Sequence, residues 1–356
     1  RVAPDGDQSK GGYVHPAWWV NQVQATQTGS LPPPWDPTPV EQNIGVYYTN
    51  IRYGGVGLAV IEDRKWKTGP TDPSGAPRDQ LGPRQLAFLK AWNQDWEGEA
   101  FKAVLSQTIF CDMNTHSGEG FNLNNADKDS NGWPPGPRDV SVDTIRRGFS
   151  LMVGGDQHLS TVVRHGIDAH NDSGVSFCVP AGLNAFPRAW DPTDSTAGTT
   201  GSLGPYLGEH IDDHGHHVDV LAVANPANYF QSTVNVPSPD IHDRGPGYGM
   251  IRFRKATRDI VMEAWPRYGD PTAAASTHGM YADWPVRVSM RPLYGREATG
   301  GYLPVVSLPG VARPVVQVCN AIDEVLYTLR SPTARFRPHV FTNGTYRIKL
   351  SDPAGG

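Results

Sequence analysis

A chain of 356 residues with 38% hydrophobic content is long enough for one large domain or two ordinary ones, and its 39 glycines and 32 prolines make it rich in loops. No apolar run reaches the roughly 20 residues a helix needs to cross a bilayer. A net charge of −5 without a basic cluster argues against nucleic-acid binding by bulk electrostatics, although a local metal charge would outweigh that sum for a small phosphate ester. No signal-peptide pattern opens the chain, so any leader is expected to have been removed or to lie outside this stretch. The three cysteines, Cys111, Cys178 and Cys319, have no CxxC spacing, which argues against a zinc ribbon, and their odd number leaves at least one thiol unpaired within the chain.

Residues 1–50 are proline-, glycine- and polar-rich, with Trp18, Trp19 and Trp35 among them, and read as an arm held to a body by its aromatics. Val56 to Ile61 is a short apolar run that reads as a central strand. Over residues 82–97, Leu86, Leu89, Trp92 and Trp96 recur at spacings of three, three and four, one face of a helix opened by Pro83. Phe101 to Leu105 is the next strand. Residues 112–138 are polar, after which Ser141 caps a short helix that Gly148 ends. Strands at 149–153 and 174–179 follow, and Cys178 in the second reads as a small buried hydrophobe. Strand–helix alternation of this kind argues an α/β layer on a largely buried sheet. Val218 to Val223 is a further strand, and Tyr248–Phe253 with Ile260–Trp265 make a hairpin. Beyond about residue 297 the pattern turns β-like, in Leu303–Leu308, Val315–Val318, Val325–Leu329 and Thr345–Leu350, with Asn343-Gly344 as a hairpin turn. The expected division is an arm over 1–50, an α/β body over 51–270 and a small β-sandwich-like unit over 297–356.

The stretch richest in chemistry is Phe149-Ser-Leu-Met-Val-Gly-Gly-Asp-Gln-His158. An apolar strand stops at two glycines and releases a carboxylate and an imidazole two residues apart. In open α/β sheets, ligands sit at the carboxyl ends of strands, and these two side chains are ligand types for a hard or borderline metal. The plain alternative is a turn with a capping aspartate. Asp63 and Arg64 end an earlier strand. A guanidinium suits bidentate phosphate contact, and an ion pair bracing the loop is the plain alternative. Lys65 and Lys67 read as solvated.

Asp127-Lys-Asp129-Ser-Asn131-Gly132 opens like an EF-hand loop, but Arg138 stands where the bidentate Glu belongs, so that reading is rejected. His210, His214, His216 and His217 lie in a Gly/Asp-rich loop that is expected to be solvated, with transition-metal binding as the sharper reading. No Gly-x-Ser-x-Gly elbow, Walker loop or Rossmann fingerprint is present.

In order, Ile61-Glu62-Asp63-Arg64-Lys65, Ser106-Gln107, Asp129-Ser130-Asn131-Gly132-Trp133, Gly155-Asp156-Gln157-His158 and Phe177-Cys178-Val179-Pro180 resemble the C-terminal half of PhoD-like alkaline phosphatases, within the calcineurin-like metallophosphoesterases. Pro37-Thr38-Pro39-Val40-Glu41-Gln42, Gly45-Val46-Tyr47-Tyr48, Arg84-Gln85-Leu86-Ala87-Phe88-Leu89 and Gly245-Pro246-Gly247-Tyr248-Gly249 extend the likeness from about Gly12 to about Asp270. The resemblance implies a partial calcineurin-like α/β sandwich followed by a small all-β unit. It implies metal-dependent phosphoester hydrolysis, with a metal-bound hydroxide attacking phosphorus in line. Asp156 and His158 would then hold metal, Arg64 would bind phosphate and His165 would approach the leaving-group oxygen, with Asp63, Asp129 and Asn131 as supplementary groups. The metals implied are iron and calcium, with zinc or manganese as alternatives, in a secreted or periplasmic bacterial protein.

Three earlier metal motifs of that family have no counterpart in order here. Asp5-Gly6-Asp7 lacks a preceding strand, and Asp212-Asp213-His214 comes too late and is expected to be a surface loop. The missing ligands are therefore expected from an upstream segment or a second polypeptide. The alternative is a non-catalytic structural or binding subunit of an extracellular assembly.

Overall fold

The computed structural model describes residues 13–72, 75–117, 122–123, 126–182, 186, 188–192, 207–225, 246–267, 269–270, 272 and 279–354. Asp5-Gly6-Asp7 and Gly245 lie outside them. The chain opens with α1 (Ala17–Thr28), then β1 (Thr49–Tyr53), β2 (Val56–Val60), α2 (Gly82–Gln94) and β3 (Phe101–Thr108). Short β4 (His116–Ser117) and β5 (Asn122–Leu123) precede α3 (Pro135–Arg146). Next come β6 (Ser150–Gly155), β7 (Thr161–His165), β8 (Val175–Cys178), β9 (Arg188–Ala189), β10 (Gly208–Ile211) and β11 (His217–Val223). A second group holds β12 (Gly247–Arg254), β13 (Asp259–Pro266) and β14 (Val286–Ser289). The last is β15 (Gly301–Tyr302), β16 (Val306–Ser307), β17 (Val315–Cys319), β18 (Val325–Arg330), β19 (Arg335–Phe336), β20 (His339–Val340) and β21 (Arg347–Ser351).

Eight strands form one mixed sheet in the order β1-β2-β3-β6-β8-β7-β11-β10. The run β2-β3-β6-β8 is parallel, and α2 and α3 lie in the connections from β2 to β3 and from β3 to β6. The antiparallel strands β1, β7, β11 and β10 flank it. Parallel strands are buried on both faces, which is why β3 and β6 read as continuous apolar runs.

The two faces separate with period two. Val104 and Met152 join Leu89, Trp92, Val142 and Ile145 of the two helices in one core. Their neighbours Phe101, Ala103 and Leu151 turn to the other side. There they meet Ile260 and Met262 of β13 together with Val316, Val318, Tyr327 and Leu329 of β17 and β18. The result is a mixed α/β fold: a large sheet with helices on one face and small antiparallel sheets on the other.

The helical face over 82–97 forms, with Phe88 and Gln85 added and Leu86 only partly buried. Trp96 lies past the helix end and packs into the opposite core instead. Lys102 explains the bend. Its fully buried ammonium donates to Trp92 O at 2.8 Å and Glu99 Oε2 at 2.6 Å, drawing the segment after α2 onto β3.

Several local expectations are corrected. The 1–50 arm contains α1, and its end is core, with Ile44, Val46 and Tyr48 buried. The third helix starts at Pro135, not at Ser141, because Pro134, Pro135 and Pro137 suit a first turn that lacks N–H partners anyway. Ser141 instead donates to Pro137 O within the helix. Pro304 and Pro309 leave only Val306–Ser307 of the expected Leu303–Leu308 strand. Asn343-Gly344 closes no hairpin: β20 pairs with β15 and β21 with β17. Thr299 donating to Phe341 O and Tyr346 donating to Thr342 O hold that loop open. The Tyr248–Phe253 and Ile260–Trp265 hairpin forms as expected, in the register Tyr248↔Trp265.

Trp92 is 3% exposed between α2 and the sheet, with Lys102 Nζ 4.2 Å from its ring centre. Trp92→Ala is expected to cost about 3–5 kcal/mol, as large aromatic truncations do. Urea unfolding of the two proteins measures it, and a loss below about 1 kcal/mol would show that the site collapses around the gap.

Candidate functional site

Because β2, β3 and β6 run parallel, their carboxyl ends share one edge of the sheet. The chain leaves β2 through Ile61, whose N–H still bonds Leu105 O, and turns at Asp63, whose carbonyl accepts from Trp66 N and Lys67 N. It leaves β3 into the long polar segment that carries Asp129 and Asn131. It leaves β6 at Asp156. The strand does not stop before the glycines: Gly154 and Gly155 are inside it. A Cβ on Gly154 would stand 2.8 Å from the Thr108 carbonyl, so glycine is what lets β3 pair this closely. The turn comes afterwards, with left-handed backbone at Asp156 (φ 68°) and His158 (φ 54°). Non-glycine residues enter that region at a cost of order 1 kcal/mol or more, which is typical of re-aimed site residues.

Arg64 joins the three strand ends. Its Nη1 donates to Asp129 Oδ1, and its Nη2 donates to Asp156 Oδ2 at 2.8 Å. Burial disfavours its charge, but Asp129, Asp63 and Asp156 outweigh that and raise its pKa. Gln107 on β3 accepts from the Asp63 and Arg64 amides at 3.3 and 3.2 Å and donates to Glu62 Oε1 at 3.0 Å. Lys67 is not solvated: its ammonium donates to Asp129 O at 2.6 Å and Ser130 O at 2.8 Å. Burial pulls its pKa down to about 8, with Asp63 opposing. Lys65 is buried too, donating to Gly45 O at 2.9 Å and to Gln24 Oε1.

Asp63 is fully buried, and neither of its carboxylate oxygens has a hydrogen-bond partner. Burial raises its pKa, while Lys67 and Arg64 pull the other way. Asn131 donates to Ser106 Oγ at 3.0 Å and leaves its own Oδ1 without a partner. Gln107, Lys67 and Tyr13 were not among the sequence candidates. Tyr13 lies close enough to Glu62, Arg64 and Asp63 for all three to act on its phenol, whose pKa burial raises. The Lys67 signal was present as a cation three residues beyond Arg64. Tyr13 gave none, since it sits in the arm.

The other candidates lie apart. His158 shares the β6 end with Asp156, but its Nδ1 is 3.3 Å from Phe186 O and its ring packs edge-on against Phe186. Burial lowers its pKa, as does Arg188. His165 does not approach this edge, contrary to expectation. β7 runs antiparallel to β8, so Thr161 stands level with Cys178 while His165 lies at the far end of the sheet. His165 is fully buried there, 3.2 Å from Arg138 Nη2, and desolvation followed by that cation holds its pKa well below the usual range. The Asp212–His217 turn is only in part the solvated loop expected, with Asp213 and Gly215 exposed. Asp212 and His216 are buried, and His214 and His216 reach Asp127 O and Gly132 O through Nε2 at 3.1 and 2.8 Å. Among the described residues, no group of three or more His, Cys, Asp or Glu side chains stands assembled to hold a metal ion.

Burial of Asp63 makes stability depend on pH. Its folded pKa lies above its unfolded value, so the fold holds the proton more tightly, and this group's stabilising contribution falls as pH rises through that interval. Asp63→Asn is therefore expected to raise the urea midpoint at pH 8 and to lessen the loss of stability that the parent shows as pH rises. A lower midpoint for the variant at pH 8 would mean that the carboxylate is net stabilising.

No protein family matches the chain, and neither does any curated protein. Among solved structures, one titled "Structure of PhoD" aligns with 45% of this chain at 16% identity and a TM-score of 0.32. The aligned part spans about a third of that protein, 33% of its length. So weak a likeness fixes neither a fold family nor a chemistry.

Proposed function

We propose that this chain carries the phosphate-binding edge of a metal-dependent phosphoester hydrolase. The observation that carries the reading is Arg64, a partly exposed guanidinium fixed between Asp129 and Asp156 at the ends of parallel strands. Two of its five N–H donors are committed to those carboxylates, and the rest remain for phosphoryl oxygens. Gln107 fixes the backbone from which Arg64 projects, and Lys67 fixes the Asp129 loop, so the donor is preorganised where charge develops in the transition state.

The unpartnered donors at this edge decide which metal it could hold. Asp63 offers two buried oxygens without partners and Asn131 a third, donors of the kind a hard cation such as calcium takes but fewer than its usual complement of about six to eight, so further oxygens would have to come from elsewhere. Bound there, calcium would supply positive charge that polarises the phosphoryl group. The set does not suit iron, zinc or manganese by itself, because His158 faces Phe186 and Asp129 and Asp156 are paired with Arg64. Iron would need further donors, which an upstream segment or a second polypeptide would bring, and no step is assigned to it. The substrate class is a phosphomonoester or phosphodiester, and a secreted or periplasmic site of action belongs to the same proposal.

A second reading is favoured by the same geometry. Two carboxylates on one guanidinium also make a brace, and a non-catalytic binding or structural subunit needs no more than that. The full-length protein with added calcium and iron, assayed on an aryl phosphodiester, separates the two. Arg64→Ala is expected to lower kcat/KM by about 10²–10³-fold, the usual cost of one preorganised donor, and Asp156→Ala, which only frees one side of that guanidinium, to lower it less. Absence of any turnover, or turnover untouched by Arg64→Ala, would leave the brace.

A further inference from the structure

The histidine-rich turn divides into two groups. His214 and His216 face inward on loop carbonyls, whereas His217 faces the outer side of the sheet edge. In the β10–β11 register Ile211 pairs with His217 and Glu209 with Asp219, so Glu209, Ile211, His217 and Asp219 share one side while His210 and Val218 take the other. Arg164 pairs with Asp219 on that outer side. The loop after β7 brings His170 over it. His170 Nδ1 lies 3.3 Å from His217 Nδ1 and 3.9 Å from Glu209 Oε2.

Three details give this group the features of a metal site. Two nitrogens bound to one tetrahedral zinc at about 2.0–2.1 Å stand roughly 3.3–3.4 Å apart, which the two Nδ1 atoms match and which is long for a direct hydrogen bond. The second is the tautomer. His170 Nε2 is 2.9 Å from His210 O; a carbonyl only accepts, so the ring proton is on Nε2 and the neutral ring presents its lone pair at Nδ1. A backbone carbonyl on the far nitrogen is the usual outer partner of a metal-bound histidine. The third is Asn171, whose amide donates to Glu209 Oε1 at 2.8 Å and leaves Oε2 toward His170. Only the two imidazoles stand together as they are: Glu209, 57% exposed with its Oε2 3.9 Å from His170 Nδ1 and its Oε1 on Asn171, would have to turn inward to become the third donor, with solvent at the fourth position.

We propose that His170, His217 and Glu209 bind a borderline divalent metal, with zinc as the type ion, at the outer edge of the large sheet. The site lies at the end of the sheet opposite Asp156 and is independent of the phosphoester reading. Asp219 and Arg164 are the remaining charged groups on that side. Asp219 has its pKa raised by burial, with Arg164 opposing, and supplies an outer carboxylate.

The test is calorimetric titration of the EDTA-treated, full-length protein with zinc chloride at pH 7.5. It is paired with the visible absorption of the cobalt(II) form. One zinc is expected to bind, with affinity lowered by more than about a hundredfold in His170→Ala and in His217→Ala, beyond what loss of an outer partner costs. Glu209→Gln should weaken it less, His214→Ala should leave it unchanged, and the four-coordinate cobalt band should vanish with either of the first two variants. If one of these fails to fold by circular dichroism, the conservative His170→Gln on the loop carries the comparison. Equal zinc binding by parent and both histidine variants, or no binding by the parent, would overturn the proposal.

Discussion

The constraint on which this molecule turns is the close parallel pairing of β3 with β6. Gly154 has no side chain to hold the Thr108 carbonyl away, so Thr108 and Gly155 come level and the strands end together. From that alignment follow the convergence of the β2, β3 and β6 ends and the placement of Arg64, Asp129 and Asp156 within one guanidinium's reach. It also decides which side chains face the helices and which face the C-terminal strands. A methyl group at residue 154 would push against backbone, which has no rotamer to move into.

Charge at that edge is balanced locally. Asp63, Asp129 and Asp156 gather negative charge around one arginine, and for the fully buried Asp63 burial adds a penalty of its own, whereas Asp129 and Asp156 are exposed. Arg64 and Lys67 offset this, and each does a second job: Arg64 ties two strand ends, and Lys67 ties the loop carbonyls of Asp129 and Ser130. Asp63 is the residual cost. Its oxygens face these cations without a hydrogen bond, and a buried acceptor in that condition costs on the order of 1–3 kcal/mol. Groups kept at such cost concentrate where a protein binds or reacts rather than where it merely folds.

What the sequence disclosed follows from how local each signal was. The apolar runs of β2, β3, β6 and β11, the 82–97 face and the 248–265 hairpin depend on short periodicities, and they stand close to where they were expected. Asp63, Arg64 and Asp156 stand together because each follows a strand and strand ends gather at one edge, whereas Asp129 and Asn131 were legible only through the family resemblance and lie in the polar segment between β3 and α3. Signals that depend on partners distant in the chain failed. Ser141 looked like a cap because its hydroxyl competes for backbone, but three prolines had already begun the helix. His165 looked adjacent to the β6 end by sequence count, yet β7 runs backwards and carries it away. Lys65 and Lys67 looked solvated because nothing nearby announced the carbonyls of residues 45, 129 and 130.

The least regular part of the site is also the most heavily tied. Among the described residues between β3 and α3, regular pairing is confined to the short β4 and β5, so the amides around Asp129 and Asn131 find other acceptors. Asp112 accepts from Asn114 N at 2.9 Å and Asp127 N at 2.6 Å, and Asp212 accepts from Asp112 N at 2.8 Å and from the His214 and His216 amides at 3.0 and 2.8 Å. The two histidines return the contact by donating to Asp127 O and Gly132 O. At Asp212, His214 and His216 the composition that suggested a solvated loop, with metal binding as the sharper reading, is thus that of a clasp: short carboxylates to cap amides and imidazoles to reach carbonyls. Burial pushes the Asp112 carboxyl up to about 7, so the fold holds that proton more tightly than the unfolded chain does, and the group's stabilising contribution is lost as pH climbs toward neutrality. The position of Asp129 beside Arg64 is therefore set jointly by the strand ends beneath it and by a turn roughly a hundred residues later that grips the loop from the other side.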